Sequence, residues 1–156
     1  MSIHDKENSY MAGHMIRNKM LLPFSYALVA VWDTLAMSLH VPKKSLDVEF
    51  SDVKLYTQPI LHEEKTVKLT VSLHRGQGRF EIMDGHSKVA TGFIVSNETP
   101  EIETTSNMNI YKDNRLEAPE VYQILYERGY AYSGAFRSIN STDESMSGAK
   151  ISWNNN

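Results

Sequence analysis

The segment from residue 23 to residue 39 constrains the fold of this chain more than any other part of the sequence. Its apolar side chains cover well over half of a helical circumference, and its proline suits a first helical turn. A helix this apolar needs other elements packed around it. The sequence therefore predicts a helix from Pro23 to about Leu39 that is enclosed by later segments of the chain. The apolar positions are Leu28, Val29, Val31, Trp32, Leu35, Ala36 and Leu39.

Two later segments alternate apolar and polar residues with the period of a half-buried strand, and two more read as strands that follow turn residues. The first changes phase at Ser51 and Asp52, which predicts a bulge or a sharp bend. Gly76 with Gly78, and then the pair Asp84–Gly85, indicate hairpin turns between later segments. An apolar helix followed by hairpin-linked strands predicts an α+β fold in which an antiparallel sheet curls round a central helix. The predicted strands cover residues 46–55, 67–73, 79–83 and 88–95.

The remaining sequence is different in character. Residues 97–118 are rich in Thr, Asn and Glu and predict a linker. A short helix is expected from Pro119 to Arg128, with Gly129 at the position of a C-terminal cap. Tyr130–Ile139 and Ala149–Trp153 are expected to be two further strands, after which the sequence ends.

Composition excludes several classes of function. The chain has 156 residues, of which 41% are hydrophobic, enough for one domain with a core. Sixteen basic against nineteen acidic residues give a net charge of -3, which argues against a nucleic-acid partner. The chain has no cysteine, and its six histidines lack ligand spacing, so no metal site is expected. The longest apolar run is too short to cross a membrane, and the polar N-terminus lacks the apolar stretch of a signal peptide. We therefore expect a cytoplasmic protein without a membrane partner.

The most specific pattern begins at His14. The stretch from Gly13 to Pro23 resembles the His-x3-Gly-x4-Pro motif of the dehydratase domains of animal fatty acid synthases and related polyketide synthases. Similar segments occur in the same order over nearly the whole chain, and they include the one that carries the family's Tyr-Gly-Pro-x-Phe motif. These further segments are residues 28–39, 48–53, 78–82, 89–92 and 121–136.

The resemblance implies a fold and a division of the chain. The family fold is a double hotdog, in which each half is a long helix wrapped by an antiparallel sheet. Residues 1–96 are then the N-terminal hotdog half and residues 97–118 a linker. Residues 119–156 are the truncated start of the second half.

The resemblance also implies an activity. The family dehydrates a 3-hydroxyacyl thioester to the trans-2-enoyl thioester, with the substrate carried on the phosphopantetheine of an acyl carrier protein. His14 is then the catalytic base, and Pro23, Tyr132 and Phe136 are substrate-binding residues. The family's acid is an Asp on the helix of the second half, expected beyond Asn156.

The implied partners are the acyl carrier protein and the second hotdog half of the same polypeptide, and a homodimer is left open. No cofactor is expected in the domain itself. The choice between a fatty acid synthase and a polyketide synthase is also left open.

The chain departs from the family pattern at several motif positions. Asn18 occupies the place of the motif glycine, and Gly13 stands where an Asp usually precedes the histidine. The Tyr-Gly-Pro-x-Phe motif is Tyr132-Ser133-Gly134-Ala135-Phe136. Two alternatives therefore stand beside the dehydratase. One is a non-catalytic structural half-domain with a decayed site, and the other is a free-standing hotdog thioesterase or hydratase that works as a homodimer.

Overall fold

The computed structural model describes residues 2–74, 76–96 and 115–152. Its contacts divide these residues into two compact units. The first unit contains residues 2–8 and 21–96, and the second contains residues 9–20 and 115–152. In chain order the helices and strands are β1 (His14–Ile16), β2 (Lys19–Met20), α1 (Phe24–Leu39), β3 (Val48–Leu55), β4 (Leu69–His74), β5 (Arg79–Asp84), β6 (Ser87–Ser96), β7 (Arg115–Glu117), α2 (Ala118–Glu127), β8 (Tyr130–Tyr132), β9 (Ile139–Asp143) and β10 (Ala149–Ile151).

The first unit is a four-stranded sheet packed on α1. The strand order is β3-β6-β5-β4, and every neighbouring pair is antiparallel. The fold class predicted from the sequence is therefore confirmed: an α+β hotdog half with a long helix against an antiparallel sheet. Its core joins buried residues of the helix to alternating residues of the two central strands, namely Ala27, Val31, Phe80, Ile82, Val89, Ala90 and Ile94.

The helix α1 has close to the predicted bounds but is less fully covered than the sequence predicts. It ends at His40, whose left-handed backbone (φ 57°) stops the helix. Ala27, Val31 and Ala36 are buried, whereas the stripe of Ser25, Val29 and Met37 remains exposed. A single four-stranded sheet covers one side of a helix, so the apolar residues on the far side stay at the surface of this unit.

The phase change in the first predicted strand is a real irregularity. The pairing of β3 with β6 shifts register between Ser51 and Lys54, and Asp52 adopts a positive φ of 48°. The extra residue changes the direction of the second half of the strand, so Val48 and Phe50 before this residue and Val53 after it all pack against the core. The predicted bulge is confirmed.

The second unit contains two three-stranded sheets and α2. The sheet orders are β2-β1-β8 and β10-β9-β7. Residues 9–20 belong here and not with the rest of the predicted N-terminal half, because β1 pairs with β8. The last residues of the predicted linker, 97–118, have regular structure, because β7 and the first residue of α2 lie within this range. Residues 97–114 of that prediction lie outside the described residues.

The helix α2 begins and ends one residue before its predicted bounds of Pro119 and Arg128. Glu117 and Glu120 form a reciprocal capping box at its start. Gly129 lies just after its end with φ 93°, a conformation that favours glycine. The single strand predicted for Tyr130–Ile139 is wrong: β8 stops at Tyr132, and a 3₁₀ turn (Gly134–Phe136) separates it from β9. The positive φ of 56° at Gly134 cannot continue a strand.

The loop between β9 and β10 is organised by one carboxylate. Asp143 accepts hydrogen bonds from the hydroxyls of Ser145 (2.6 Å) and Ser147 (2.7 Å). It also accepts bonds from the backbone N–H groups of Ser147 and Gly148, both at 3.0 Å. The hydrogen bonds from these serines hold the pKa of Asp143 well below its usual range.

The first prediction concerns the pH dependence of this loop. Because folding lowers the Asp143 pKa, the ionised carboxylate stabilises the hairpin above the unfolded-chain value of about 3.9. This contribution is lost as the pH falls below that value towards the folded-state pKa. We expect Asp143→Asn to lower the free energy of unfolding near pH 7 and to have a shrinking effect from about pH 4 to pH 2. Urea unfolding across this range measures the effect, and a pH-independent difference would contradict the assignment.

The second prediction concerns the core of the first unit. Phe80 is fully buried and meets Phe50 edge-on, with ring centroids 6.0 Å apart. We expect Phe80→Ala to lower the free energy of unfolding by about 3–5 kcal/mol. Met37→Ala is the control, because Met37 is 68% exposed on α1, and it should change stability by about 0.5 kcal/mol or less. A large loss in the control would show that another element covers this side of α1.

Candidate functional site

His14 and Tyr132 face each other across two short strands. The strands β1 and β8 are antiparallel, and their register places His14 directly opposite Tyr132. Directly opposed residues of an antiparallel pair project to the same face of the sheet. The two rings are stacked, with centroids 5.5 Å apart and planes inclined by 21°.

Phe136, the last residue of the 3₁₀ turn, also lies against His14. Its ring centroid lies 5.0 Å from that of His14 and 6.3 Å from that of Tyr132. Tyr10 stacks on Phe136 in turn, with centroids 6.1 Å apart. We call Tyr10, His14, Tyr132 and Phe136 the His14 cluster. The structure thus brings three of the four site residues expected from the sequence into mutual contact.

Pro23 is the fourth of these residues and lies in the first unit. It is buried immediately before α1, and its carbonyl accepts a hydrogen bond from the N–H of Tyr26 at 3.0 Å. The preceding Leu22 is fixed to residues 58 and 59, because its N–H donates to the Pro59 carbonyl and its carbonyl accepts from Gln58. The substrate-binding role of Pro23 stays a prediction.

Gly13 fits the site for a steric reason. Its carbonyl accepts a hydrogen bond from the N–H of Ser133 at 3.0 Å. A Cβ atom at this position would overlap the carbonyl oxygen of Ser133. Asp, the residue that usually precedes the family histidine, has a Cβ atom and would meet this carbonyl oxygen. The close approach of the two segments therefore requires glycine at position 13.

Asn18 keeps the turn that the motif glycine would make. The two-residue turn between β1 and β2 has positive φ at Arg17 (48°) and at Asn18 (60°). This is the pattern of a type I′ hairpin turn, and Asn is one of the residues that tolerate it. The turn is anchored by the Arg17 N–H, which donates to the carbonyl of Gly129 at 2.6 Å.

The third departure changes the local backbone. Gly134 stands where the family motif has proline, and its φ is 56°. Proline is restricted to φ near -65°, so this turn differs from one that contains the motif proline. Phe136 nevertheless lies against His14 in this turn.

Partial burial raises the pKa of Tyr132, and the neighbouring Tyr130 adds to the effect. The Tyr132 hydroxyl is therefore protonated at neutral pH and available as a hydrogen-bond donor. Within residues 2–74, 76–96 and 115–152, no three His, Asp or Glu side chains come together in a group that could hold a metal ion. The site is suited to proton transfer and to contacts with apolar groups.

A groove of about 380 Å³ lies between α2 and β8 and shares Tyr132 with the His14 cluster. The guanidinium carbon of Arg137 lies 4.4 Å from the centroid of the Tyr122 ring in this groove. Sequence reasoning gave Arg137 no role, because nothing in the spacing along the chain places it against this helix. The lining residues are Pro119, Tyr122, Gln123, Tyr126, Tyr130, Ala131, Tyr132 and Arg137.

No protein-family model matches the chain. Among solved structures it is similar to the dehydratase domain from the CurF module of curacin polyketide synthase, with a TM-score of 0.67 and 21% identity over 90% of this chain and 53% of that one. The dehydratase domain of the CurK module has a TM-score of 0.64 and 20% identity over 90% and 52%. A trans-AT polyketide synthase dehydratase domain from Brevibacillus brevis has a TM-score of 0.64 and 15% identity over 85% and 50%.

These similarities show the fold. The chain has the hotdog fold of polyketide synthase dehydratase domains and spans about half of the length of those domains. The structures of the CurK dehydratase include two inactive variants, one with a histidine replaced by phenylalanine and one with an aspartate replaced by asparagine. No described helix of this chain is long and apolar enough to cross a membrane.

The third prediction tests the close approach at the site. We expect Gly13→Ala to separate β1 from β8, because the new methyl group would overlap the Ser133 carbonyl. The variant should lose stability and lose the NMR cross-peaks between His14 and Tyr132. Gly76→Ala is the matched control, since no described atom beyond the neighbouring residues lies within 4 Å of a Cβ atom at Gly76. Retention of the cross-peaks in Gly13→Ala would show that the pairing does not depend on this glycine.

Proposed function

We propose that this chain is part of a synthase dehydratase domain, comprising its first hotdog half, a linker and the start of the second half, and that the domain converts a carrier-bound 3-hydroxyacyl thioester to the trans-2-enoyl thioester. One observation carries the proposal. His14 from one family motif and Tyr132 and Phe136 from a second form one ring cluster in a chain with the dehydratase fold. The parent synthase makes a polyketide or a fatty acid.

His14 acts as the base in this proposal. Dehydration requires removal of the proton next to the thioester carbonyl, and imidazole is the side chain most often used as a general base near neutral pH. The rings of Tyr132 and Phe136 lie against His14 and restrict its orientation. They also shield the faces of the imidazole that they cover from water.

The acid is an Asp supplied by the second hotdog half of the same polypeptide. Two aspartates of this chain are engaged elsewhere, since Asp33 pairs with Lys43 at 2.7 Å and Asp143 holds its own loop. The inactive CurK variants support a reaction that needs one histidine and one aspartate. The phosphopantetheine of the carrier protein brings the substrate, so the domain itself needs no cofactor. The reaction takes place in the cytoplasm.

The alternative of a decayed site rests on the motif departures. Two of them have local physical explanations: Gly13 permits the approach of Ser133, and Asn18 keeps the positive φ of its turn. Both substitutions keep His14 in register with Tyr132. These contacts favour a functional site, and activity measurements decide between the two.

The fourth prediction tests the base. In the full-length polypeptide that carries this chain, we expect His14→Ala to lower the rate of dehydration by about 10²–10⁴-fold. The 3-hydroxyacyl intermediate should accumulate, as measured by mass spectrometry of the carrier protein. His86→Ala is the matched control, because His86 is exposed in the turn between β5 and β6, and it should leave the rate unchanged.

Two results would contradict the proposal. Dehydration at the parental rate by His14→Ala would exclude His14 as the base. A full-length polypeptide that stalls at the hydroxyacyl stage without any substitution would show a decayed site. The isolated 156-residue chain is expected to leave the thioester unconverted, because the acid lies on the second half.

A further inference from the structure

The groove between α2 and β8 has the composition of a ligand site. Tyr126 and Tyr130 line it and are 65% and 37% exposed, so aromatic surface remains accessible. Its volume of about 380 Å³ lies within the usual range for small-molecule sites, roughly 300–1,000 Å³. Tyr132 belongs to both the groove and the His14 cluster, so the groove adjoins the cluster through this ring.

Arg137 supplies a positive charge that is held in place. Its guanidinium stacks on Tyr122 at 4.4 Å, and the Tyr122 ring is fixed because its hydroxyl accepts a hydrogen bond from the Ile139 N–H at 2.9 Å. Among the described residues, no carboxylate forms an ion pair with Arg137, whereas Arg115 of the same unit pairs with Glu117 at 2.8 Å. Stacking covers one face of a guanidinium and leaves its in-plane N–H groups for an anion.

We propose that this groove binds the phosphate-bearing pantetheine chain of the substrate, with Arg137 as the phosphate contact. The inference rests on the proposed function, because that function makes phosphopantetheine the group that carries the acyl chain. Guanidinium groups recognise phosphate in two-pronged geometry, and tyrosine rings provide apolar surface for a flexible chain. Tyr132 lines the groove together with Arg137 and also stacks on His14, where the thioester end has to arrive.

The experiment is an NMR-monitored titration of the 156-residue chain with 4′-phosphopantetheine and with pantetheine, which lacks the phosphate. We expect the phosphorylated compound to bind at least about tenfold more tightly, a difference of about 1.4 kcal/mol. Arg137→Gln should abolish the difference between the two compounds. Arg115→Gln is the matched control and should preserve it, since Arg115 is already paired.

Two further measurements keep the test decisive. If Arg137→Gln does not fold, the side-chain resonances of Arg137 in the unchanged chain must shift with 4′-phosphopantetheine and not with pantetheine. Carrier protein bearing the arm should bind more tightly than carrier protein without it. Equal binding of both carrier forms would place the contact on the carrier surface and overturn the inference, as would equal affinity for the two small compounds.

This inference and the proposed function fail separately. One outcome is that Arg137→Gln no longer distinguishes the two compounds while His14→Ala dehydrates at the full rate. This outcome would support phosphate binding in the groove and exclude His14 as the base. The opposite outcome is that His14→Ala loses dehydration while binding by Arg137→Gln is unchanged. This outcome would support His14 as the base and exclude Arg137 as the phosphate contact.

Discussion

The pairing of β1 with β8 is the interaction on which the candidate site depends. Three residues of β1 are in register with three residues of β8, and this register alone places His14 opposite Tyr132. A shift by one residue would turn the imidazole to the opposite face of the sheet. Gly13 is essential to the pairing because only a residue without a Cβ atom leaves room for the Ser133 carbonyl.

The backbone around this pair is set by residues that tolerate unusual conformations. Asn18 turns β1 into β2, and Gly129 ends α2 at the point where its carbonyl receives the Arg17 N–H. A Cβ atom at Gly129 would lie 3.2 Å from the Arg17 side chain, so this end of the strand is also tightly packed. The departures from the family motif at Gly13 and Asn18 are thus part of a connected set of turns that keeps the imidazole in position.

Tyr132 belongs to both the His14 cluster and the groove between α2 and β8. On one side its ring stacks on His14, where the proposed proton transfer takes place. On the other side it lines the groove that contains Arg137, the proposed contact for an anion. A half-buried tyrosine suits this place, because its ring serves both surfaces and its hydroxyl stays protonated at neutral pH. The reacting end of a carried substrate and its charged end are then recognised by neighbouring parts of one unit.

The sequence by itself determined the features that depend on local periodicity and on motif residues, whereas only the tertiary structure decided which distant segments meet. Apolar spacing and turn residues act over a few neighbouring positions, so α1, its four strands and the bulge near Asp52 were predictable. Three other features were not predictable from the sequence. Residues 9–20 belong to the second unit, a turn interrupts Tyr130–Ile139, and Arg137 stacks on Tyr122. Local patterns do not encode these partners, because the free energy of each contact arises only when both segments are in place.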